Sequence, residues 1–329
     1  MIEKPVTIIV KKNERLWKMV IKPYEETKKM QFFRTLYTRF DPDEEQRQYY
    51  DGLKKGEEGE RIFSELLREV NNGSLILHNL LFEQLNSLFQ IDAVLAAQKI
   101  LHLFEVKNFQ GDYYIESGKW YTGYGTEIQN PVSQLRRSEI LLQQFLKKHG
   151  FNLKIKSSLI FINPEFTLYL APRNLPIILP TQVNRFLHQL KGNPFKPGKS
   201  HFTLAEKLIS SHMEENFSDR IPHYHYDQLK KGLDCATCRS LNTIVKGSSL
   251  ICLNCKHVEK VDLGVVRCIK QFQLLFPKKK MTVNIIEDWC ASMVSPKTIR
   301  RILAKYYIIK GFGKATHYVE SEPKNLEDL

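Results

Sequence analysis

The 329-residue sequence lacks any run of about 18 apolar residues, the length that a membrane-spanning helix requires. We therefore expect no membrane span. The first residues, Met1–Pro5, are charged and lack the apolar core of a signal peptide, so we expect a cytoplasmic protein. Cysteine is also sparse, with six residues, and in a reducing compartment these indicate metal ligation or plain burial over disulfides.

Acidic residues are in short supply: 36 Asp and Glu stand against 49 Lys and Arg, which gives a net charge of +13. The imbalance is concentrated near the carboxyl end. Residues 263–318 contain eleven basic and only two acidic residues. Such a basic segment is typical of proteins that bind nucleic acid. The alternative is a solvated basic face that has no partner.

Two strand-like stretches, Gln90–Val94 and Phe104–Asn108, alternate apolar and polar residues. The short connection between them, near Ala96–Lys99, predicts an antiparallel hairpin. Because side chains alternate in direction along a strand, Glu105 and Lys107 should share one face.

The register of this hairpin decides whether a second carboxylate joins that face. If Leu95 pairs with Ile100, Asp92 lies opposite Leu103 and one diagonal step from Glu105, on the same face. Two carboxylates and an amine are the groups that metal-assisted phosphodiester hydrolysis needs. The alternative is an ordinary surface Glu-x-Lys triplet in a highly charged chain.

Two predicted helices flank the hairpin. A helix that starts near Lys55 and runs to about Val70 places Glu60 on its apolar, inward face. This carboxylate would either interact with the N-terminal N–H groups of the helix or reach a metal on the adjacent sheet. Asn130-Pro131 predicts the start of a second helix, which directs Gln134 inward for an internal hydrogen bond or to position a water or phosphate.

Four motifs in this order resemble the nuclease-related domain, NERD, a branch of the PD-(D/E)XK nuclease superfamily, over about residues 50–190. They are Gly56–Glu60, Phe89–Asp92, Glu105–Gly111 and Asn130–Leu135. The order of helices and strands predicts an α/β fold. The resemblance implies that its core is a restriction-endonuclease-like mixed sheet flanked by helices.

The resemblance also implies the roles of individual residues. The catalytic residues would be Glu60, Asp92, Glu105, Lys107 and Gln134. The ligands of Mg²⁺ or Mn²⁺ would be Glu60, directly or through water, Asp92, Glu105 and the carbonyl of Val106. The lysine would orient or deprotonate the attacking water and stabilise the charge that builds on phosphate.

Two Cys-x-x-Cys pairs lie further along the chain, at Cys235 and Cys238 and at Cys252 and Cys255. Their spacing predicts a structural Zn²⁺ site in a zinc ribbon over residues 233–262, with all four positions of the metal filled by sulfur. A redox dithiol is the alternative. We expect the other two cysteines, Cys268 and Cys290, to be buried.

The basic segment 263–320 resembles a winged helix-turn-helix. Asn284 is the predicted N-cap of a short helix, and Ser295-Pro296 begins the helix that would enter a DNA groove. A structural or protein-binding winged helix is the alternative. The predicted DNA-binding residues are Lys297, Thr298, Arg300, Arg301, Lys305, Lys310 and Lys314.

Together these features predict a metal-dependent deoxyribonuclease that a basic module targets to DNA. A non-catalytic DNA-binding protein on a nuclease-like scaffold is the alternative, and RNA is a further possible substrate. The predicted domains are an N-terminal extension at 1–50 with a strand at Val6–Val10, the nuclease-like domain at 51–190, a linker at 191–232, the zinc ribbon at 233–262, the winged helix at 263–320 and a tail at 321–329.

Overall fold

The computed structural model describes residues 20–192 and 194–320, so the predicted strand at Val6–Val10 and the predicted tail lie outside the described residues. The chain divides into two units. The first comprises Met1–Thr27 and Asp51–Asn216, and the second comprises Lys28–Tyr50 and Phe217–Leu329. Among the described residues, no helix is both long enough and apolar enough to cross a membrane.

The helices and strands are numbered in chain order. The helices are α1 (Lys28–Arg39), α2 (Glu44–Arg68), α3 (Pro131–Lys148), α4 (Pro180–Lys191), α5 (Lys199–Ser210), α6 (Val261–Leu275), α7 (Val283–Trp289) and α8 (Pro296–Tyr306). The strands are β1 (Val20–Lys22), β2 (Leu75–Gln84), β3 (Ser87–Ala97), β4 (Ile100–Lys107), β5 (Gly111–Glu116), β6 (Lys119–Thr122), β7 (Glu127–Ile128), β8 (Lys154–Phe161), β9 (Phe166–Tyr169), β10 (Ile177–Ile178), β11 (Thr243–Lys246), β12 (Ser249–Cys252), β13 (Val258–Lys260), β14 (Tyr307–Lys310) and β15 (His317–Glu320).

A six-stranded mixed sheet, in the order β1-β2-β3-β4-β8-β10, forms the centre of the first unit. Strands β2, β3 and β4 form an antiparallel meander. Strand β8 runs parallel to both β4 and β10. One apolar core contains residues of α3 and α5, and another contains residues of α2 and α4. The predicted α/β fold with a mixed sheet is therefore confirmed. A second sheet, β7-β6-β5-β9, lies in the same unit.

The β3–β4 hairpin has a register two residues away from the predicted one. Ala97, not Leu95, pairs with Ile100, because Gln98 adopts a left-handed φ of 53° and the connection is a tight turn. A shift of two residues leaves every side chain on its predicted face. Continuing this register by one position places Asp92 opposite Glu105.

Helix α2 begins at Glu44, well before the predicted start near residue 55. Asp43 accepts a hydrogen bond from the N–H of Gln46, whose side chain in turn accepts one from the N–H of Asp43. This reciprocal pair is a capping box, which satisfies otherwise unpaired donors at the start of the helix. The helix then continues through Gly52 without interruption.

The first unit extends beyond the predicted boundary at residue 190. Helix α5 lies in the predicted linker, yet Leu204, Ala205 and Leu208 are buried in the same core as α3. Because its apolar face is buried in this core, α5 groups with the first unit, which differs from the predicted linker.

Residues 28–50 belong to the second unit, which differs from the predicted N-terminal extension. The reason is Arg39, which is completely buried. Its guanidinium donates hydrogen bonds to the carbonyls of Lys230 and Gly232 and to the side chain of Gln271, and it lies 4.2 Å from the ring centroid of Trp289. A buried charge with these partners requires α1 to pack inside this unit.

The second unit also contains the three-stranded sheet β11-β12-β13, the helices α6, α7 and α8, and the antiparallel ribbon β14-β15. Ser295 caps α8 as predicted, because its hydroxyl accepts a hydrogen bond from the N–H of Thr298. The predicted cap of the preceding helix is wrong: Thr282, not Asn284, accepts from the N–H of Ile285.

Candidate active site and cysteine cluster

A pocket of about 530 Å³ lies in the first unit. Its walls include the middle of α2, the middle of β3, the end of β4 and the first turn of α3. All five predicted catalytic residues and the predicted backbone ligand line it: Glu60, Asp92, Glu105, Val106, Lys107 and Gln134. Residues from four separate elements therefore meet in one place.

Hydrogen bonds connect most of these groups. The Lys107 ammonium donates to Glu105 Oε1 at 2.8 Å and to Gln134 Oε1 at 3.1 Å. Asp92 Oδ2 accepts a hydrogen bond of 2.7 Å from the backbone N–H of Val106. Strand β4 thus holds both carboxylates. The backbone of Val106 binds Asp92, and the side chain of Lys107 binds Glu105.

Burial and mutual repulsion raise the pKa values of the carboxyl groups. Asp92 and Glu105 are only 8% and 2% exposed. Burial first, and then the charge of Glu105, raise the pKa of Asp92 to about 8. Burial, followed by the charge of Asp92, also raises the pKa of Glu60 well above its usual value. Without a cation beside them, Asp92 and Glu60 therefore keep their protons to a higher pH than free carboxyl groups do.

Lys107 is held in its charged form. Burial lowers the pKa of its ammonium, but the carboxylates of Glu105 and Asp92 outweigh burial, and the pKa lies above its usual value. A protonated lysine can stabilise negative charge and orient a water molecule, but it cannot accept a proton from that water. This favours charge stabilisation among the roles that the family resemblance implies for it.

Glu60 lies in the interior of α2, sixteen residues after the helix begins at Glu44. The interpretation that it interacts with the N-terminal N–H groups is therefore wrong, because that effect is confined to the first turn. Its Oε2 atom is buried and has no hydrogen-bond partner. An unpartnered buried carboxylate oxygen is costly unless a cation or a water satisfies it.

The donor set of this pocket fits a hard divalent cation such as Mg²⁺. Three carboxyl groups supply oxygen ligands, a bound cation would favour the ionised form of the two whose pKa values are raised, and Glu60 Oε2 is without a partner. The carboxylates are more widely spaced than the cysteine sulfurs described below. Within the described part of the chain, the cysteine quartet is the one group of three or more His, Cys, Asp or Glu side chains whose ligand atoms all lie within 4.8 Å of one another.

Gln134 does not point inward as predicted. It lies near the start of α3 on an exposed surface of the helix, and its amide reaches the pocket by accepting from Lys107. The prediction from the helical stripe was wrong because the buried face of α3 begins with Val132 and Leu135 and continues with Ser138 and Leu141, so Gln134 lies outside it.

Sequence reasoning assigned no role to several other residues of the pocket wall, among them Gln90 and Tyr113. Gln90 lines the pocket and lies 3.5 Å from Asp92 through its amide nitrogen. Strand alternation could have found it, because it precedes Asp92 by two residues and shares its face. Tyr113 on β5 also lines the pocket, but it belongs to the second sheet, whose position no local pattern reveals.

The four predicted zinc ligands meet in the second unit. The sulfur atoms of Cys235, Cys238, Cys252 and Cys255 all lie within 4.8 Å of one another. Two of the sulfur pairs, Cys235 with Cys255 and Cys238 with Cys252, are 3.5 Å apart. Four sulfurs placed about 2.3 Å from a tetrahedral ion have comparable separations, so this cluster could bind zinc.

The two Cys-x-x-Cys turns have the same local construction. Each is followed by a residue in the left-handed region, Arg239 with φ 61° and Lys256 with φ 63°. The N–H of each of these residues donates to the carbonyl of the first cysteine in its turn, Cys235 or Cys252. This repeated turn aims two thiols of each pair toward one point. Cys268 and Cys290 lie outside the cluster and are completely buried, as predicted.

The predicted DNA-binding side chains of α8 and the ribbon are not equivalent. Lys297, Arg300, Lys305 and Lys310 are exposed. Thr298 is half-buried beside Ser295, and the side chain of Lys314 lies outside the described part. Arg301 is already engaged, because its two terminal nitrogens donate to the carboxylate of Asp262 at 2.7 and 2.9 Å.

A comparison with known protein families finds a match within the first unit. Residues 55–162 match the model of the nuclease-related domain, NERD. This range contains every residue of the pocket named above, and it agrees with the predicted nuclease-related domain. No curated protein and no solved structure matches the chain.

Proposed function

We propose that the protein hydrolyses phosphodiester bonds of DNA with the help of Mg²⁺ or Mn²⁺. The observation that carries this proposal is the convergence of Glu60, Asp92, Glu105, Lys107 and Gln134 in one pocket of the segment that matches the nuclease-related domain. An accidental surface triplet would not recruit a buried carboxylate from α2 and another from β3.

The residues divide the work by their chemistry. Glu60, Asp92, Glu105 and the Val106 carbonyl would hold the divalent cation. When bound, that cation would polarise the phosphate and make water a better nucleophile. The Lys107 ammonium stabilises the negative charge that builds on the phosphate oxygens. Gln134 orients this ammonium from the pocket mouth and presents its amide to a water or a phosphate.

The second unit supplies the contact with DNA in this proposal. Zn²⁺ on the four cysteines stabilises the ribbon, and because sulfur fills every position the metal takes no part in catalysis. The helices α6 to α8 with the β14-β15 ribbon act as a winged helix. Phosphate contacts would come from Lys297, Thr298, Arg300, Lys305, Lys310 and Lys314, with Arg301 joining only if it leaves Asp262. Such contacts bind DNA largely without regard to sequence.

The experiment that tests the proposal is a cleavage assay with Mg²⁺ or Mn²⁺ on plasmid, single-stranded DNA and RNA. We expect wild type to cleave DNA and Glu105→Ala to lose this activity. Glu83→Ala is the matched control, because that carboxylate is exposed on β2 outside the pocket. Cleavage by Glu105→Ala at the wild-type rate would refute the site. Binding of DNA by wild type without any cleavage would favour a non-catalytic binding protein.

A further inference from the structure

The ribbon of the second unit ends in a solvent-exposed aromatic side chain. Phe312 is 95% exposed, in a chain whose other phenylalanines are mainly buried. Ile308 and Ile309 on the same ribbon are also exposed, at 48% and 53%. Exposing this much apolar surface on a small element is unfavourable in water, which indicates a partner.

The tip that presents Phe312 is constructed rather than loose. Gly311 has a φ of 77°, and a Cβ atom at this position would lie 2.4 Å from the carbonyl oxygen of Ala315. The N–H of Ala315 donates to the carbonyl of Phe312, which closes a tight turn at the tip. One residue pair from the tip of the ribbon, the N–H of Tyr318 donates to the carbonyl of Met281. The ring is therefore held away from the body of the unit.

The surroundings of the ring are cationic. Residues 307–319 contain no acidic residue. Lys310 is exposed on the ribbon, and Lys278, Lys279 and Lys280 are exposed directly before Met281. Exposed Lys305 lies near the end of α8, just before the ribbon. Positive charge around a projecting aromatic ring matches a polyanion that also offers flat apolar faces, and nucleic acid has both.

The state of the base determines where such a ring can bind. Inside a duplex, inserting it would cost a few kcal/mol to unstack a base step. An unpaired base offers its face without that cost, and stacking on an aromatic ring then stabilises the complex. A ring beside phosphate-binding lysines is thus best suited to a place where duplex and single strand meet.

We propose that Phe312 stacks on an unpaired base and that the second unit prefers junctions between duplex and single-stranded DNA over continuous duplex. This inference deepens the proposed function and rests on its claim that the second unit binds nucleic acid. It names the substrate class as DNA with unpaired bases next to a duplex.

The test measures equilibrium binding by fluorescence anisotropy with the full chain and labelled oligonucleotides. The probes are a blunt duplex, the same duplex with a single-stranded overhang, and that junction with an abasic site at its first unpaired position. All proteins carry Glu105→Ala so that the DNA stays intact. We expect Phe312→Ala to weaken junction binding about tenfold, to leave blunt-duplex binding unchanged and to keep the same salt dependence.

Two controls distinguish stacking from a general defect. Phe312→Trp should retain junction binding, since an indole also stacks, and Tyr124→Ala removes a fully exposed aromatic ring of the first unit and should have no effect. The abasic junction should weaken binding of the parent protein about tenfold but should not weaken Phe312→Ala further, because both changes remove the same contact.

The outcomes separate this inference from the proposed function. Equal junction binding by Phe312→Ala and its parent, or equal loss on all three probes, would overturn the stacking role while DNA binding itself stands. If the parent protein binds none of the probes, the proposed nucleic-acid contact fails as well.

Discussion

The two candidate metal sites of this chain are assembled on opposite physical principles. The cysteine cluster has its four sulfurs within 4.8 Å of one another on two matching turns. The carboxylate pocket brings Glu60, Asp92 and Glu105 together from three elements, with raised pKa values for the first two and an unpartnered oxygen on Glu60. The cysteine cluster is closed around a single point, whereas the carboxylate pocket holds mutually repelling acidic groups beside an open cavity.

The two sites should therefore affect the stability of the fold in different ways. A closed sulfur site contributes the binding energy of its metal to folding. A pocket of buried, mutually repelling carboxylates costs stability in the metal-free protein, and that cost is accepted where function needs the charge. Mutations should therefore have opposite effects on stability at the two sites, and the predictions below test this contrast.

Replacing one cysteine should have the largest effect. Cys252→Ser leaves three thiols for the metal, so we expect loss of bound zinc and a destabilisation of the second unit by about 5 kcal/mol or more. Calorimetry and metal analysis of the full chain measure both. Leu253→Ala, a change at an exposed residue of the same turn, is the control and should retain one zinc. A variant that keeps its zinc and its unfolding transition would show that the cluster is not a metal site.

Removing the lysine should separate catalysis from cation binding. Lys107→Ala should lower the rate of DNA cleavage by about a thousandfold, because the charge on the transferred phosphate loses its nearest ammonium. Binding of Mn²⁺ should persist, since the carboxylates remain. Lys99→Ala, in the exposed turn of the same hairpin, is the control. If Lys107→Ala loses both DNA cleavage and Mn²⁺ binding, Lys107 is instead a structural support of the pocket.

Two glycines of α2 offer a matched pair of test positions. A Cβ atom on Gly59 would lie 2.7 Å from Asn108 Cβ, next to Lys107, whereas a Cβ on Gly52 meets nothing within 4 Å. We expect Gly59→Ala to destabilise the first unit by about 1 to 3 kcal/mol through overpacking. Gly52→Ala should stabilise the helix by about 0.5 to 1 kcal/mol. Urea unfolding measures both, and equal effects would contradict the close packing of α2 on β4.

Neutralising a pocket carboxyl should stabilise the metal-free protein, in contrast to the cysteine variant. Burial and Glu105 raise the pKa of Asp92 to about 8, far above its unfolded value of 3.8, so ionisation costs folding energy. Metal-free stability should fall as pH rises between these two values, because the unfolded chain has already released the proton that the native state retains.

The corresponding variant is Asp92→Asn. Its advantage over wild type in the absence of metal should be absent at pH 4 and reach about 1 to 2 kcal/mol near pH 8. Thermal unfolding across this range measures it, with exposed Asp51 changed to Asn as the control. A loss of stability at pH 8 would mean that the hydrogen bond to Val106 matters more than the charge.

Local patterns predicted the site because its residues obey local rules. Alternation along β4 placed Glu105 and Lys107 together, and even a register error of two residues could not move Asp92 to the other face. The two cysteine pairs likewise needed only their spacing. Exact pairing was not predictable, because it depended on the left-handed turn at Gln98, which the sequence does not mark with glycine or asparagine.

The remaining errors concern contacts between distant parts of the chain. The buried Arg39 donates to backbone carbonyls almost two hundred residues away, so no window of sequence assigns α1 to the second unit. Strand β2 was not predicted at all, although its residues are nearly all buried, because a continuous apolar run has no clear period.

The central claim is that the carboxylate pocket binds a divalent cation, and anomalous diffraction from crystals of the full chain grown with Mn²⁺ tests it most directly. We expect a manganese peak in contact with the carboxylates of Asp92 and Glu105, together with a separate zinc peak at the four cysteines. A structure in which zinc is present but the pocket holds no manganese at saturating concentration would contradict it.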